Sequence, residues 1–335
     1  MSKYDSKTLP LFEDGPFTPY VLDFIHYKRS CGLKYEDSAP SVLRMTCHQM
    51  NQYPAESLEM TKEMVNALVA KRPVEAYSTQ SRRISYLRQL AVYLNMRGVP
   101  AYVYPENSIH KEEKTFVPYL FTPDEIKKIF QVADHLPRIK RYPNYEKVYP
   151  VLLRLLFSSG LRISEALNLK IRHFDYSDAL LLIENSKNGK SRCIPLSASM
   201  SHMLTEYLEC RFSISPDRER FIFEAPDGNR YYRCGIRSTI MNIFKNAGLP
   251  AVSEVYHPRV HDVRHQFAVN AMEKMKAEGM DLYCAMPLLS VYLGHKGLRE
   301  TEKYLWLPQF RMEEIAVSDQ KLVPGMIPEV SWDEE

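Results

Sequence analysis

Six residues of this 335-residue chain are of types that, acting together, could break a phosphodiester bond: Arg162, Lys187, His261, Arg264, His295 and Tyr304. That reaction needs an attacking oxygen, a proton for the departing oxygen, and positive charge against the oxygens on phosphorus. A tyrosine supplies an attacking oxygen, and lysine and histidine carry protons. The rigid guanidinium fork grips two oxygens and stays charged. Taken singly, each residue has a plainer reading. Arg162 follows Gly160-Leu161, where one helix stops and another begins, and an arginine there could simply satisfy helix-end carbonyls. Lys187 opens Lys187-Asn188-Gly189-Lys190, a hairpin signal in which Asn and Gly accept positive φ at little cost. His261 and Arg264 are three apart and share a helix face. Gly294-His295 reads as a helix end with a histidine on its dipole. Tyr304 is one of 22 tyrosines.

The set is more specific than its members. In order, the chain reads GLRISEALNL (160–169), SKNGKSRCIPL (186–196), HDVRH (261–265), LGHKG (293–297) and TEKY (301–304). These strings, their order and the spacing of nine from His295 to Tyr304 resemble the catalytic-domain motifs of the tyrosine recombinase, or phage integrase, family. The resemblance covers about Phe121 to Leu307. More weakly, YSTQSRRISYLRQLAVYL (77–94) resembles the last helix of that family's core-binding domain.

The resemblance implies a role for each residue. Arg162 and Arg264 would clamp the scissile phosphate, and Tyr304 would attack phosphorus to give a 3′-phosphotyrosyl link. A free tyrosine, with a pKa of about 10, is a poor nucleophile near neutrality. His261 would take its proton, Lys187 would protonate the departing 5′ oxygen, and His295 would donate to a non-bridging oxygen. Glu165, one turn after Arg162, would orient the site or be an ordinary surface carboxylate. The partner implied is double-stranded DNA with core-type inverted-repeat sites, bound by a homotetramer, with an accessory directionality factor possible in principle. The activity implied is site-specific recombination, integrating or excising a mobile element. A type IB topoisomerase and a catalytically silent DNA-binding regulator are the rival readings. No metal or cofactor is expected: the positive charge comes from side chains rather than from ions on a carboxylate cluster. The phosphotyrosyl bond conserves the energy of the broken one, and no G-x-x-x-x-G-K-[ST] loop occurs.

Composition is that of an ordinary globular chain, 45% hydrophobic and 25% charged. The net charge of +3 neither demands nor excludes nucleic acid, because the placement of basic residues matters more than their sum. No apolar run is long enough to span a bilayer and no apolar leader opens the chain, so a cytoplasmic protein is expected, with no membrane partner. None of the six cysteines forms a C-x-x-C pair, and free thiols are expected.

The elements that must position the six residues divide the chain. Residues 1–16 read as a flexible arm, too short for a further folded domain for distal arm sites. Residues 17–108 read as a helical, SAM-like core-binding domain, 109–120 as a linker, 121–316 as the catalytic domain and 317–335 as an acidic tail. The expected fold is thus two-domain: an all-α N-terminal core-binding domain plus a mixed α+β, mainly helical, catalytic domain with a small antiparallel sheet. A helix should start at Thr18, with Pro19 in its first turn. Another should run from a Ser78 or Thr79 cap to Met96, with Ile84, Leu87, Ala91 and Leu94 on its apolar face. Arg82, Arg83, Arg88 and Arg97 on its other faces would form a solvated surface or contact phosphates. Thr122-Pro123-Asp124-Glu125 is a capping box. Strands are expected at Leu180–Glu184 and Arg192–Leu196. Helices are expected over 148–158, 164–169, 199–211, 233–246, 262–277 and 284–293. Beyond Tyr304, the apolar Phe310, Met312, Ile315 and Val317 would pack on their own domain or on a neighbouring protomer.

Overall fold

The computed structural model describes residues 9–33, 35, 38–53, 58–106, 118–140, 142–184, 191–212, 217–250 and 258–305. Lys187, most of the expected linker and the segment from Phe310 to the acidic tail lie outside the described residues. The chain divides into two compact units, Met1–Thr115 and Phe116–Glu335. It is mainly helical, with one small antiparallel sheet.

The first unit contains α1 (Thr18–Ser30), α2 (Ser38–Asn51), α3 (Lys62–Val69) and α4 (Tyr77–Met96). Pro19 sits in the first turn of α1, where its missing N–H costs nothing. The stripe Ile84, Leu87, Ala91 and Leu94 is buried against Phe24, Ile25, Leu43 and Met50. Each fully buried Leu or Ile contributes roughly 1.5–3 kcal/mol. The start of α4 differs from expectation. Its N-cap is Ala76, with no side-chain cap bond, and Ser78 and Thr79 lie inside the first turn. The Thr79 and Gln80 N–H groups both donate to the Ala76 carbonyl.

Arg83 corrects both sequence readings of the α4 arginines. It is only 4% exposed, and its guanidinium donates to the carboxylate of Glu75 and to the carbonyls of Leu68 and Ala70. These carbonyls lie at the C-terminal end of α3, where intrahelical partners run out. Arg83 is therefore spent on tying α3 to α4, and it is neither solvated nor available to a phosphate. Arg82 remains exposed, and Arg88 pairs with Glu106 at 3.2 Å.

The second unit opens with α5 (Pro123–Asp134) behind the expected capping box: the Glu125 N–H donates to Thr122 Oγ1 and the Thr122 N–H to Glu125 Oε2. There follow α6 (Tyr145–Ser159) and the short α7 (Ile163–Leu167). The sheet has β1 (Phe174–Asp175), β2 (Leu180–Ile183) and β3 (Arg192–Pro195) in sequence order. β2 and β3 are antiparallel, with Leu181 opposite Ile194 and Ile183 opposite Arg192. β1, two residues long, carries too few side chains to show alternation in the sequence. Helices α8 (Ala198–Arg211), α9 (Arg233–Asn246), α10 (Asp262–Ala277) and α11 (Leu282–Leu293) complete the named elements, and residues 299–305 are helical. No helix among the described residues is long and apolar enough to cross a membrane, and the six cysteines are free.

Candidate active site

Two left-handed glycines set the floor of the site. Gly160 ends α6 at φ +59°, and an added Cβ would lie 2.4 Å from the Phe267 ring. The chain therefore turns tightly out of α6, and Arg162, two residues on, becomes the N-cap of α7. Gly294 ends α11 at φ +65° and presents His295 just beyond the helix. Both positions need a residue without a Cβ penalty at positive φ.

Arg264, in the first turn of α10, reaches between these two helix ends. It is 2% exposed, and its Nη1 donates to the Gly160 carbonyl at 2.9 Å and its Nη2 to the Leu293 carbonyl at 2.5 Å. Carbonyls at helix C-termini carry the negative end of the dipole, so a cation is favoured there. Burial first, then the charge of Arg162, lower Arg264 to about 10, and it stays charged at neutral pH.

Glu165 lies 7% exposed at the centre of the basic groups. Its Oε1 accepts from Arg162 Nη1 at 2.8 Å and Arg192 Nη1 at 3.2 Å. Its Oε2 accepts from the Arg162 N–H at 3.0 Å and Arg192 Nη2 at 2.9 Å, with Arg264 Nη1 at 3.8 Å. Burial alone would raise this carboxyl, but the hydrogen bonds and charge of Arg192, joined by those of Arg162, hold it below the usual carboxylate range. Three guanidiniums thus face one carboxylate, and the excess positive charge suits an anion such as a phosphodiester.

Tyr304 is 1% exposed, and burial pushes its phenol up to about 12 against the opposing charges of Arg264 and Arg162. Its hydroxyl lies 3.0 Å from His265 Nδ1. The Lys303 ammonium sits 5.1 Å over the Tyr304 ring. His295 stacks beside it, with ring centroids 6.2 Å apart, and its Nδ1 is 2.7 Å from Thr301 Oγ1. Burial, with Arg264 and Arg162, lowers His295 to about 3. His261 opens α10 as its N-cap, with solvent on one side and the His265 ring 4.9 Å away on the other. Desolvation on its protein side, followed by the charge of Arg264, lowers it to about 4.

Five of the six sequence-predicted residues, Arg162, His261, Arg264, His295 and Tyr304, are thereby linked through one web of contacts. Two members had no assigned role in the sequence. His265, rather than His261, touches the phenol oxygen. Arg192 holds Glu165. A signal for Arg192 was present: it shares the β3 face of buried Ile194, so period-2 alternation points it inward. Among the described residues no group of three or more His, Cys, Asp or Glu side chains is placed to hold a metal ion.

A buried tyrosine against two imidazoles, under the charge of two arginines that share one carboxylate, in this mainly helical frame, defines a tyrosine recombinase. The chain belongs to the phage integrase family, whose model matches residues 120–308. It is 30% identical to y4rB of Sinorhizobium fredii, a protein named as an integrase/recombinase, over 86% of this chain and 92% of that one. It is 27% identical to the tyrosine recombinase XerA of Pyrococcus horikoshii, over 88% of this chain and 93% of that one. Among solved structures it resembles the XerH site-specific recombinase bound to a palindromic difH substrate in a post-cleavage complex. The TM-score is 0.62 at 19% identity, over 92% of this chain and 98% of that one.

Proposed function

We propose that this chain recombines DNA at specific sites through a 3′-phosphotyrosyl bond to Tyr304. The observation that carries the reading is the placement of Arg162 and Arg264 on one buried carboxylate, Glu165, together with the packing of His295 against the buried Tyr304 ring. Arg162 and Arg264 neutralise the non-bridging oxygens of the scissile phosphate, and His295 donates to one of them. The Tyr304 oxygen attacks phosphorus, the bond to the 5′ oxygen breaks, and that oxygen takes a proton from Lys187. His261 accepts the phenolic proton. Rejoining runs the same steps in reverse from the 5′-hydroxyl of the exchanged strand.

In this reading residues 17–108, within the unit Met1–Thr115, are the core-binding domain, and residues 121–316, within Phe116–Glu335, the catalytic domain. The substrate is duplex DNA with core-type inverted repeats, held by a homotetramer with one protomer per half-site. An accessory factor would set direction. The biological role is integration or excision of a mobile element, in keeping with the family and with the relative named as an integrase/recombinase.

The test is covalent trapping on nicked suicide duplexes tiled from DNA flanking the gene, with wild type and Tyr304→Phe side by side. An adduct formed by wild type and absent from the variant supports the reading. An adduct that persists in the variant moves the nucleophile to another tyrosine. Tight binding with no adduct from either protein replaces recombination with a silent DNA-binding role.

A further inference from the structure

Each nitrogen of the Arg192 guanidinium donates a hydrogen bond to the protein. Its Nε donates to the Tyr292 carbonyl at 2.7 Å, and Nη1 and Nη2 donate to the two oxygens of Glu165. Its side chain is 11% exposed, and a Cβ on Gly294 would lie 2.9 Å from its Nη1. One guanidinium therefore joins three elements: β3, the start of α7 and the end of α11. The last two carry Arg162 and His295. Arg162 makes the matching contacts, with Nη1 on Glu165 and Nη2 on the Gly294 carbonyl at 3.4 Å.

We infer that Arg192 is a positioning residue that keeps the charge of Arg162 free for the scissile phosphate; this rests on the recombinase reading above. The argument is electrostatic. Glu165 carries one negative charge and would neutralise Arg162 if that were its only close partner. Arg264 Nη1 lies 3.8 Å from Glu165, and Arg192 adds a further cation through two hydrogen bonds to the same carboxylate, so the group keeps a larger excess of positive charge with Arg192 than without it. Its fork also fixes the carboxylate plane that orients the Arg162 guanidinium. A lysine, as a point charge, would keep the charge without the two-point grip.

The experiment measures the single-turnover rate of adduct formation and DNA affinity for the full chain. Arg192→Met should slow adduct formation by about a hundredfold, the scale of losing an electrostatic contributor to the transition state, with DNA affinity changed by no more than about threefold. Adding Glu165→Gln should then raise the rate roughly tenfold above Arg192→Met alone, because the carboxylate that had captured Arg162 is gone. A merely structural Arg192 gives the opposite sign, since the second change would further damage the site. Arg192→Lys should fall between wild type and Arg192→Met. Should Arg192→Met not fold, Arg192→Gln with and without Glu165→Gln is read in the same way. A double variant no faster than the single one, or an Arg192→Met with the wild-type rate, overturns the inference. Failure of wild type to form an adduct would instead count against the recombinase reading.

Discussion

The Tyr304 hydroxyl lies 3.0 Å from Nδ1 of His265, inside the protein. Burial raises the phenol to about 12 and lowers the imidazole to about 2. The two values are ordered against proton transfer, so the pair holds a neutral phenol rather than generating a phenolate. Tyr304 is 1% exposed, so the contact is shielded from solvent.

If His265 serves only to hold the neutral phenol, His265→Leu should destabilise the fold by about 1–3 kcal/mol, the cost of leaving a buried hydroxyl unpaired. Its adduct rate should fall less than about tenfold, whereas loss of a general base costs about 10²- to 10⁴-fold. Urea unfolding and single-turnover trapping read the two numbers. A rate loss in the larger range would make His265 the base and remove His261 from that role.

Among the described residues, Glu165 is the carboxylate that Arg162, Arg192 and Arg264 share. Glu165→Leu leaves Arg162 and Arg192 facing each other without compensation, at a cost of about 3–5 kcal/mol. Denaturant unfolding measures this, and a change below 1 kcal/mol would show that solvent or another anion already shields the guanidiniums.

Acid should unfold this protein by a route the structure names. His261, His265 and His295 are lowered to about 4, 2 and 3, chiefly by burial. Their folded values lie below the unfolded one, so the unfolded chain binds more protons at mildly acidic pH. Stability is then fully present above about pH 6.5 and is lost as pH falls towards the folded values, by up to about 1.4 kcal/mol per pH unit for each histidine. His261, open to solvent on one side, adds least. Thermal unfolding between pH 7.5 and 4.5 tests this, and His265→Gln should flatten the slope. A melting temperature independent of pH across that range contradicts it.

The α4 arginines should separate by experiment. Arg83→Met removes the partner of Glu75 within a buried pair and should destabilise the chain by about 3–5 kcal/mol. Arg82→Ala should leave stability within about 0.5 kcal/mol. If Arg82 meets a phosphate, its loss should also reduce the slope of log affinity against log salt by about 1. An unchanged salt slope would make Arg82 a solvated surface residue.

The sequence alone determined the features that rest on local physics. The Thr122–Glu125 capping box, the helix-ending Gly160 and Gly294, the apolar stripe of α4 and the positions of β2 and β3 each depend on neighbours a few residues away. The motif strings likewise singled out Arg162, Arg264, His295 and Tyr304, because their residue types and order are rare in combination. Tertiary structure decided what depends on distant partners. Arg83 and Arg82 are adjacent on one helix, yet one is buried by Glu75 and the end of α3 and the other is exposed. Glu165 became a central buried carboxylate only because β3 brings Arg192 against it. His265 meets Tyr304 because helix 299–305 packs its tyrosine inward beside α10. A side chain's chemistry follows from its type, but its burial, charge balance and partner are properties of the space around it.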